Sequence, residues 1–259
     1  MLAICSESLK GYGLNRIFEI VKEAGYDGVD LNVDLRNFDT QNAKYVKKLI
    51  EQHQLPVLAI SAPSVSSAKK ITEIVALAKK IDTKIIVIQP PKIFDFKYIS
   101  WLKNEIPNIR QHENISIALE NGPNQTFLGI IPEHAMNNLI DLKKFKHVTI
   151  DTTRIATKKE DLIRVYKILK KFLVHVHLSN VKGGERYAPP AKGILPIESF
   201  LTKLKQDGYP GTISLKIAPT FLPLGDDDKL MDFLAEQKDF YDTYFTKIQT
   251  VHGKENNAD

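Results

Sequence analysis

The chain has 259 residues, of which 43% are hydrophobic and 26% charged, and these fractions exclude a globally disordered protein. Its single cysteine, Cys5, excludes an intramolecular disulfide and a cysteine-based metal cluster, and we expect a cytoplasmic protein. The net charge of +5 comes from lysines spread over segments of helical pattern, which favours solvated helix faces over a nucleic-acid surface, and no apolar run is long enough for a membrane span.

Short β-branched apolar runs alternate along the chain with longer segments in which apolar residues recur every three or four positions. The short runs predict eight strands, at residues 2–6, 28–33, 56–61, 84–89, 115–120, 147–151, 173–178 and 212–217. Helical spacing is clearest at 14–24, 71–81 and 230–248, and the three aspartates at 226–228 offer an N-cap to the last of these helices.

Eight alternating strand and helix units predict an α/β fold with a parallel sheet closed into a single (β/α)8 TIM barrel. We assign residues 1–248 to this barrel and residues 249–259 to a flexible polar C-terminal tail. An open, doubly wound sheet is the alternative architecture. The segment SESLKGYG after the first strand argues against it, because it lacks the glycine-rich turn that binds dinucleotide phosphates.

Strand residues alternate between two faces, so in a barrel the apolar positions face the helices and the intervening positions face the lumen. This alternation turns a set of polar side chains inward: Asp30, Asn32, Ser61, Gln89, Glu120, Asp151, His175, His177 and Lys216. Barrel enzymes carry their chemistry at the carboxyl ends of the strands, and buried charges are costly unless they pair or bind a cation. We therefore predict a functional site at Glu120, Asp151, His177 and Lys216.

At these positions the sequence resembles the xylose isomerase-like TIM barrel superfamily. Its members include sugar and sugar-phosphate isomerases and epimerases, and the type IV endonucleases that act at abasic sites in DNA. The resemblance follows five segments in chain order: AGYDGVDL at 24–31, IALEN at 117–121, TIDTTR at 149–154, HVHLSN at 175–180, and GILPIESF with DGYPGTISLK at 193–216.

The resemblance implies a divalent cation (Mn²⁺, Mg²⁺ or Zn²⁺) held by Glu120, Asp151 and His177, which polarises sugar oxygens while carboxylates move a proton. Lys216 stands where the last strand of the family normally ends in a ligand glutamate. Two hypotheses follow. In the first, no cation is bound, and Glu120, Asp151 and Lys216 are catalytic, with Lys216 acting as a charge or, when deprotonated, as a base. In the second, a weakened cation site of three ligands persists.

Five further residues are predicted to contact substrate: Asn32, Gln89, Arg154, His175 and Arg186. The two arginines suit a phosphate or a carboxylate, although a solvated surface position is the alternative for both. His175 lies one pleat deeper than His177, so a satisfied lumen residue is its alternative. Tyr187 stands where the family commonly has a histidine, and it belongs to a loop that we interpret as a lid or as an ordinary rigid loop.

Three functions are compatible with this pattern. The first is an isomerase or epimerase of a small sugar-like molecule or sugar phosphate, which transfers a proton next to a carbonyl at the C-terminal rim of the barrel. The second is a non-catalytic or metabolite-binding member of the superfamily, suggested by the replaced ligands. The third is a DNA-repair endonuclease, disfavoured because Gln89, Arg154, Tyr187 and Lys216 replace residues that a multi-metal site needs. We expect neither a membrane nor a nucleic acid as partner, and a homo-oligomer is compatible with the sequence.

Overall fold

The computed structural model describes residues 1–247, so the predicted tail at 249–259 and the end of the predicted last helix lie outside the described residues. Eight parallel strands form a closed barrel in which the first strand pairs with both the second and the eighth. In chain order, and numbered one to eight below, they are Leu2–Cys5, Gly28–Asn32, Val57–Ser61, Ile85–Ile88, Ser116–Glu120, Val148–Asp151, Leu173–Leu178 and Thr212–Leu215. The predicted (β/α)8 barrel is confirmed, and the open sheet is excluded.

Helices follow the strands and surround the barrel. The α-helices of the described residues are Leu14–Glu23, Ala43–His53, Ala68–Lys80, Phe96–Asn104, Ile106–Glu113, Leu139–Phe145, Thr152–Thr157, Leu162–Leu169, Ile197–Gln206 and Asp227–Tyr241. The carboxylate of Asp226 accepts a hydrogen bond from the backbone N–H of Lys229, which confirms the predicted cap of the last helix. Within residues 1–247, every helix is too short or too polar to cross a lipid bilayer.

Two short antiparallel hairpins rise from the C-terminal side of the barrel and were not predicted. One pairs Thr126–Phe127 with Ile131–Pro132, and the other pairs Asn180–Lys182 with Glu185–Ala188. Both follow barrel strands, the fifth and the seventh. Their strands have only two to four residues, which is too short for an alternation of polar and apolar residues to stand out from a loop.

The main hydrophobic core lies between the strands and the helices. Strand residues that alternate with the polar set, such as Ile117, Leu119, Val176 and Leu178, belong to this buried cluster together with the apolar faces of the helices. Most of the polar strand residues are also buried but face the other way, into the lumen; Asn32, at the end of the second strand, is half-buried. This packing fixes the orientation of each strand, because turning one strand over would expose its branched side chains to the lumen charges.

Candidate active site

Charged side chains from five strands meet at the C-terminal end of the lumen. Asp30, Glu120, Asp151 and His177 come from strands two, five, six and seven, and each is at most 1% exposed. Lys216 follows the eighth strand directly, and its backbone N–H donates a hydrogen bond to the carbonyl of Leu178. The side chain of Lys216 is 12% exposed. The predicted convergence of Glu120, Asp151, His177 and Lys216 is therefore present in the structure.

His177 lies between two carboxylates. Its Nδ1 contacts Oε1 of Glu120, and its Nε2 lies 2.9 Å from Oδ2 of Asp30. An ionised carboxylate only accepts hydrogen bonds, so both ring nitrogens donate and the ring is an imidazolium. Burial and the positive charge of Lys216 lower the pKa of His177, but the two carboxylates have the larger effect and raise it to about 9.

Asp30 was predicted to face inward, but no role was assigned to it. Ser61 donates its hydroxyl to Oδ1 of Asp30 at 3.0 Å, while Oδ2 faces His177. Burial disfavours the charged carboxylate, yet the facing rings of His175 and His177 hold the pKa of Asp30 well below its ordinary value. The sequence carried a signal for this role. Asp30 is the acid of the segment 24–31 that faces the lumen, and a buried carboxylate needs a positively charged or hydrogen-bonding partner.

Lys216 and Arg154 supply two further positive charges. The Nζ of Lys216 lies 3.8 Å from Oε1 of Glu120 and 3.6 Å from Oδ2 of Asp151. The guanidinium of Arg154 lies 2.6 Å from Oε2 of Glu120 and 3.5 Å from Oδ2 of Asp151. Burial disfavours the ammonium, but Glu120 and Asp151 raise the pKa of Lys216 above its ordinary value. Lys216 is therefore charged at neutral pH, which favours its role as a charge over that of a base.

The position of Arg154 follows from the start of a helix. Asp151 caps the helix Thr152–Thr157, and its Oδ1 accepts a hydrogen bond from the backbone N–H of Arg154 at 3.0 Å. This turn directs the guanidinium back over the strand ends. The Nε of Arg154 donates to the hydroxyl of Tyr187 at 3.4 Å, and the ring of Tyr187 lies 5.4 Å from the Nζ of Lys216. Tyr187 thus covers this side of the charged cluster.

A cavity of about 600 Å³ opens on the other side of the cluster, at the ends of strands one to four. Its floor includes Ser61, Glu120, His177 and Lys216, and its walls come from the loops that follow the first three strands. Charged residues from two of these loops, Glu7, Lys10, Asp34 and Arg36, also line the wall. The volume is typical of sites that enclose a small molecule.

The structure brings only part of the predicted substrate-binding set to this cavity. Asn32 and Gln89 line its wall. His175 is fully buried in the lumen, Arg154 is bound by the carboxylates and Tyr187, and Arg186 is exposed on the hairpin Asn180–Ala188; none of these three lines the cavity. Alternation placed His175 one pleat deeper than His177, which agrees with its burial below the cavity. It carried no information on Arg154 and Arg186, because neither residue lies in a barrel strand.

Among residues 1–247, two groups of side chains have the composition of a divalent-cation site: Glu120, Asp151 and His177, and Asp30, His175 and His177, with ligand atoms within 4.8 Å of one another. Their hydrogen bonds do not suit a cation. Both nitrogens of His177 face carboxylates, so the ring has no free lone pair, and Oε2 of Glu120 binds Arg154. Two side-chain cations also lie beside Asp151. In this arrangement the residues do not fit a divalent cation, and we derive no chemical step through one.

The comparison with known families agrees with this fold. Residues 18–236 match the family described as xylose isomerase-like TIM barrel. The chain belongs to this family. The match includes Asp30, Glu120, Asp151, His177 and Lys216, so all five charged residues of the cluster lie inside the matched region.

Relatives of this xylose isomerase-like chain are distant in sequence. The uncharacterized protein Rv0498 of Mycobacterium tuberculosis is 22% identical over 89% of this chain and 92% of its own length. A D-tagatose 3-epimerase-like protein of known structure is 20% identical, with a TM-score of 0.70 over 93% of this chain and 98% of its own. The IolI protein, whose structure holds a zinc atom, is 15% identical, with a TM-score of 0.72 over 95% of this chain and 99% of its own. These likenesses establish the shared fold.

Proposed function

We propose that this chain is an isomerase or epimerase of a small sugar or sugar phosphate, in which the ammonium of Lys216 supplies the positive charge that a cation supplies elsewhere. One observation carries the proposal. Lys216 and Glu120 both line the floor of the cavity, and the Nζ of Lys216 lies 3.8 Å from Oε1 of Glu120. A charged donor and an ionised carboxylate side by side are the two groups that proton transfer next to a carbonyl requires.

The chemistry assigned to these residues is as follows. Glu120 takes the proton from the carbon next to the sugar carbonyl. The electron pair of the C–H bond forms a C=C bond to the carbonyl carbon, and the π electrons of the carbonyl move to its oxygen. The resulting enediolate charge faces the ammonium of Lys216, which stabilises it most where water is excluded. In an isomerase the proton then returns from Glu120 to the former carbonyl carbon, while the hydroxyl proton on the adjacent carbon moves to the former carbonyl oxygen, so that the carbonyl forms again one carbon along.

The other charged groups hold this pair in place. Arg154 and the imidazolium of His177 fix the two oxygens of Glu120 and keep it ionised: burial would raise its pKa, but Arg154, Lys216 and His177 hold the pKa below its ordinary value. Asp151 pairs with Lys216 and keeps its charge near the cavity. We assign Asn32 and Gln89, on the cavity wall, to the hydroxyl groups of the sugar.

A second candidate function is binding of a sugar-like metabolite without turnover. It is favoured by the charge balance of the cluster, in which three carboxylates face Arg154, His177 and Lys216, and by the fact that both oxygens of Glu120 already have partners. Ion pairs to both oxygens stabilise the ionised form of a carboxylate, which lowers its pKa and makes it a weaker base. Cleavage of DNA has no comparable support, because the residues at the strand ends pair with one another and do not fit a cation.

Solvent exchange distinguishes the two candidates. Protein treated with a chelator is incubated in D₂O with a panel of aldoses, ketoses and their phosphates, and loss of the C–H signal next to the carbonyl is followed by proton NMR. We expect exchange with at least one member of the panel, lowered about 100-fold or more in Lys216→Met and Glu120→Gln. Lys192→Met, an exposed lysine paired with Glu236, is the matched control and retains the rate. Binding without exchange across the panel would instead establish the second candidate.

A further inference from the structure

The wall of the lumen next to Asp30 contains polar atoms that have no protein partner. Oγ1 of Thr149, Nδ1 of His175 and Oγ of Ser214 are buried, and within residues 1–247 none of them has a hydrogen-bond partner. All three residues are 0% exposed. The Nε2 of His175 lies 3.4 Å from Oδ2 of Asp30 but not in hydrogen-bond geometry. Buried polar groups in folded proteins are almost always satisfied, so three orphans in one region require an explanation.

These three side chains lie on neighbouring strands. In the pairing of strands six and seven, Thr149 lies opposite His175. On the other side of strand seven, the eighth strand places Ser214 opposite His177, two residues beyond the pair formed by Thr212 and His175. Adjacent strands are about 4.8 Å apart, so the three polar groups face one region of the lumen.

Small side chains line this part of the lumen. Ala3, Ala59 and Ala118 are fully buried, yet they are absent from the hydrophobic cluster between strands and helices, as expected for residues that face the lumen. Ala3 lies opposite Ser214 in the pairing of strands one and eight. Barrel interiors of this size are normally filled by layers of valine, isoleucine and leucine. Alanine at these positions fills less of the lumen than those residues would.

We propose that this region of the lumen binds ordered water, held by Thr149, His175 and Ser214. A polar space with about three convergent hydrogen-bonding groups is what a buried water molecule needs, whereas an apolar cavity stays dry. A metal ion is a poorer occupant, because the two hydroxyls are neutral and the carboxylate of Asp30 is bound by Ser61 and His177. The water is then the hydrogen-bond partner of His175, which stays inside the lumen and does not contact the sugar.

A crystal structure at about 1.5 Å resolution tests the site directly. We expect water density within hydrogen-bond distance of Oγ1 of Thr149, Nδ1 of His175 and Oγ of Ser214, without anomalous signal from a transition metal. The proposal is overturned if these atoms bond directly to one another or to other protein atoms, if the density is that of a metal ion, or if the region is dry.

A solution measurement does not depend on crystals. Magnetic relaxation dispersion of water detects internal water molecules that exchange slowly, and we expect the native protein to hold at least one that the double variant Thr149→Val, Ser214→Ala lacks. Thr72→Val is the matched control, since the exposed hydroxyl of Thr72 binds only the carbonyl of Ala68, and it retains the native signal. Equal signals in the native protein and the folded double variant would contradict the proposal.

Discussion

The Nε2 of His177 lies 2.9 Å from Oδ2 of Asp30, a contact that joins the second and seventh strands across the lumen. On its other side the same ring contacts Glu120, so one imidazolium connects the two carboxylates. Lys216 and Arg154 complete the cluster by binding Glu120 and Asp151. The site is therefore held by ion pairs among its own side chains.

Replacement of Asp30 by asparagine tests whether His177 depends on both carboxylates. Asp30→Asn removes one of the two negative charges that raise the pKa of His177, so we expect that pKa to fall from about 9 by about one unit or more. The titration of the imidazole nitrogens by NMR measures it. Asp34→Asn, a carboxylate on the cavity wall, is the control and leaves the titration unchanged. An unaltered pKa in Asp30→Asn would contradict the geometry assigned to this pair.

The raised pKa of His177 also makes stability depend on pH. In the unfolded chain the ring titrates near its ordinary value of 6.5, whereas in the folded protein it titrates at about 9. Its contribution to the free energy of unfolding is therefore complete below pH 6.5 and is lost as the pH rises through 9. One proton is involved, so the slope approaches about 1.4 kcal/mol per pH unit.

Urea unfolding between pH 6 and pH 10 measures this dependence. We expect the free energy of unfolding of the native protein to fall across the interval and the slope to be smaller in His177→Gln, which has no titrating ring at this position. A native stability that stays constant or rises between pH 7 and pH 9 would show that His177 is neutral in the folded state.

Replacement of Lys216 by glutamate restores the residue type that the family implies at this strand end. Lys216→Glu removes an ammonium 3.6 Å from Asp151 and adds a third carboxylate beside Asp151 and Glu120. We expect Mn²⁺ to bind this variant at least about tenfold more tightly than the native protein, because uncompensated buried carboxylates attract a cation. Calorimetric titration measures the affinity, with Lys192→Glu as the surface control. Equal affinities for the native protein and Lys216→Glu would contradict this account of Lys216.

The alternation of strands and helices along the chain predicts the barrel, and the alternation of residues within each strand predicts the inward face of the site. Outward positions such as Val176 and Leu178 must be apolar to pack against helices, so the rule places the intervening His177 in the lumen. By the same rule, Glu120 and Lys216 face the lumen. What this rule does not give is the distance between side chains on opposite walls. The contact between Asp30 and His177 depends on the curvature and tilt of the barrel, which a strand pattern does not specify.

Residues outside the strands were the least predictable. Arg154 lies in the first turn of a helix, and its approach to Glu120 depends on the cap formed by Asp151. Arg186 lies on a hairpin with strands too short to recognise, and this hairpin carries its side chain into solvent. The cavity itself is built by loops after the first three strands, whose path is set by local turns and not by periodicity.

The metal content of the purified protein tests the central claim most directly. The chain is expressed in medium supplied with zinc and manganese, purified without a chelator, and analysed by inductively coupled plasma mass spectrometry. The account predicts far less than one divalent ion per chain, because Lys216, Arg154 and the imidazolium of His177 already neutralise the carboxylates. One tightly bound ion per chain that is lost in Glu120→Gln would contradict it.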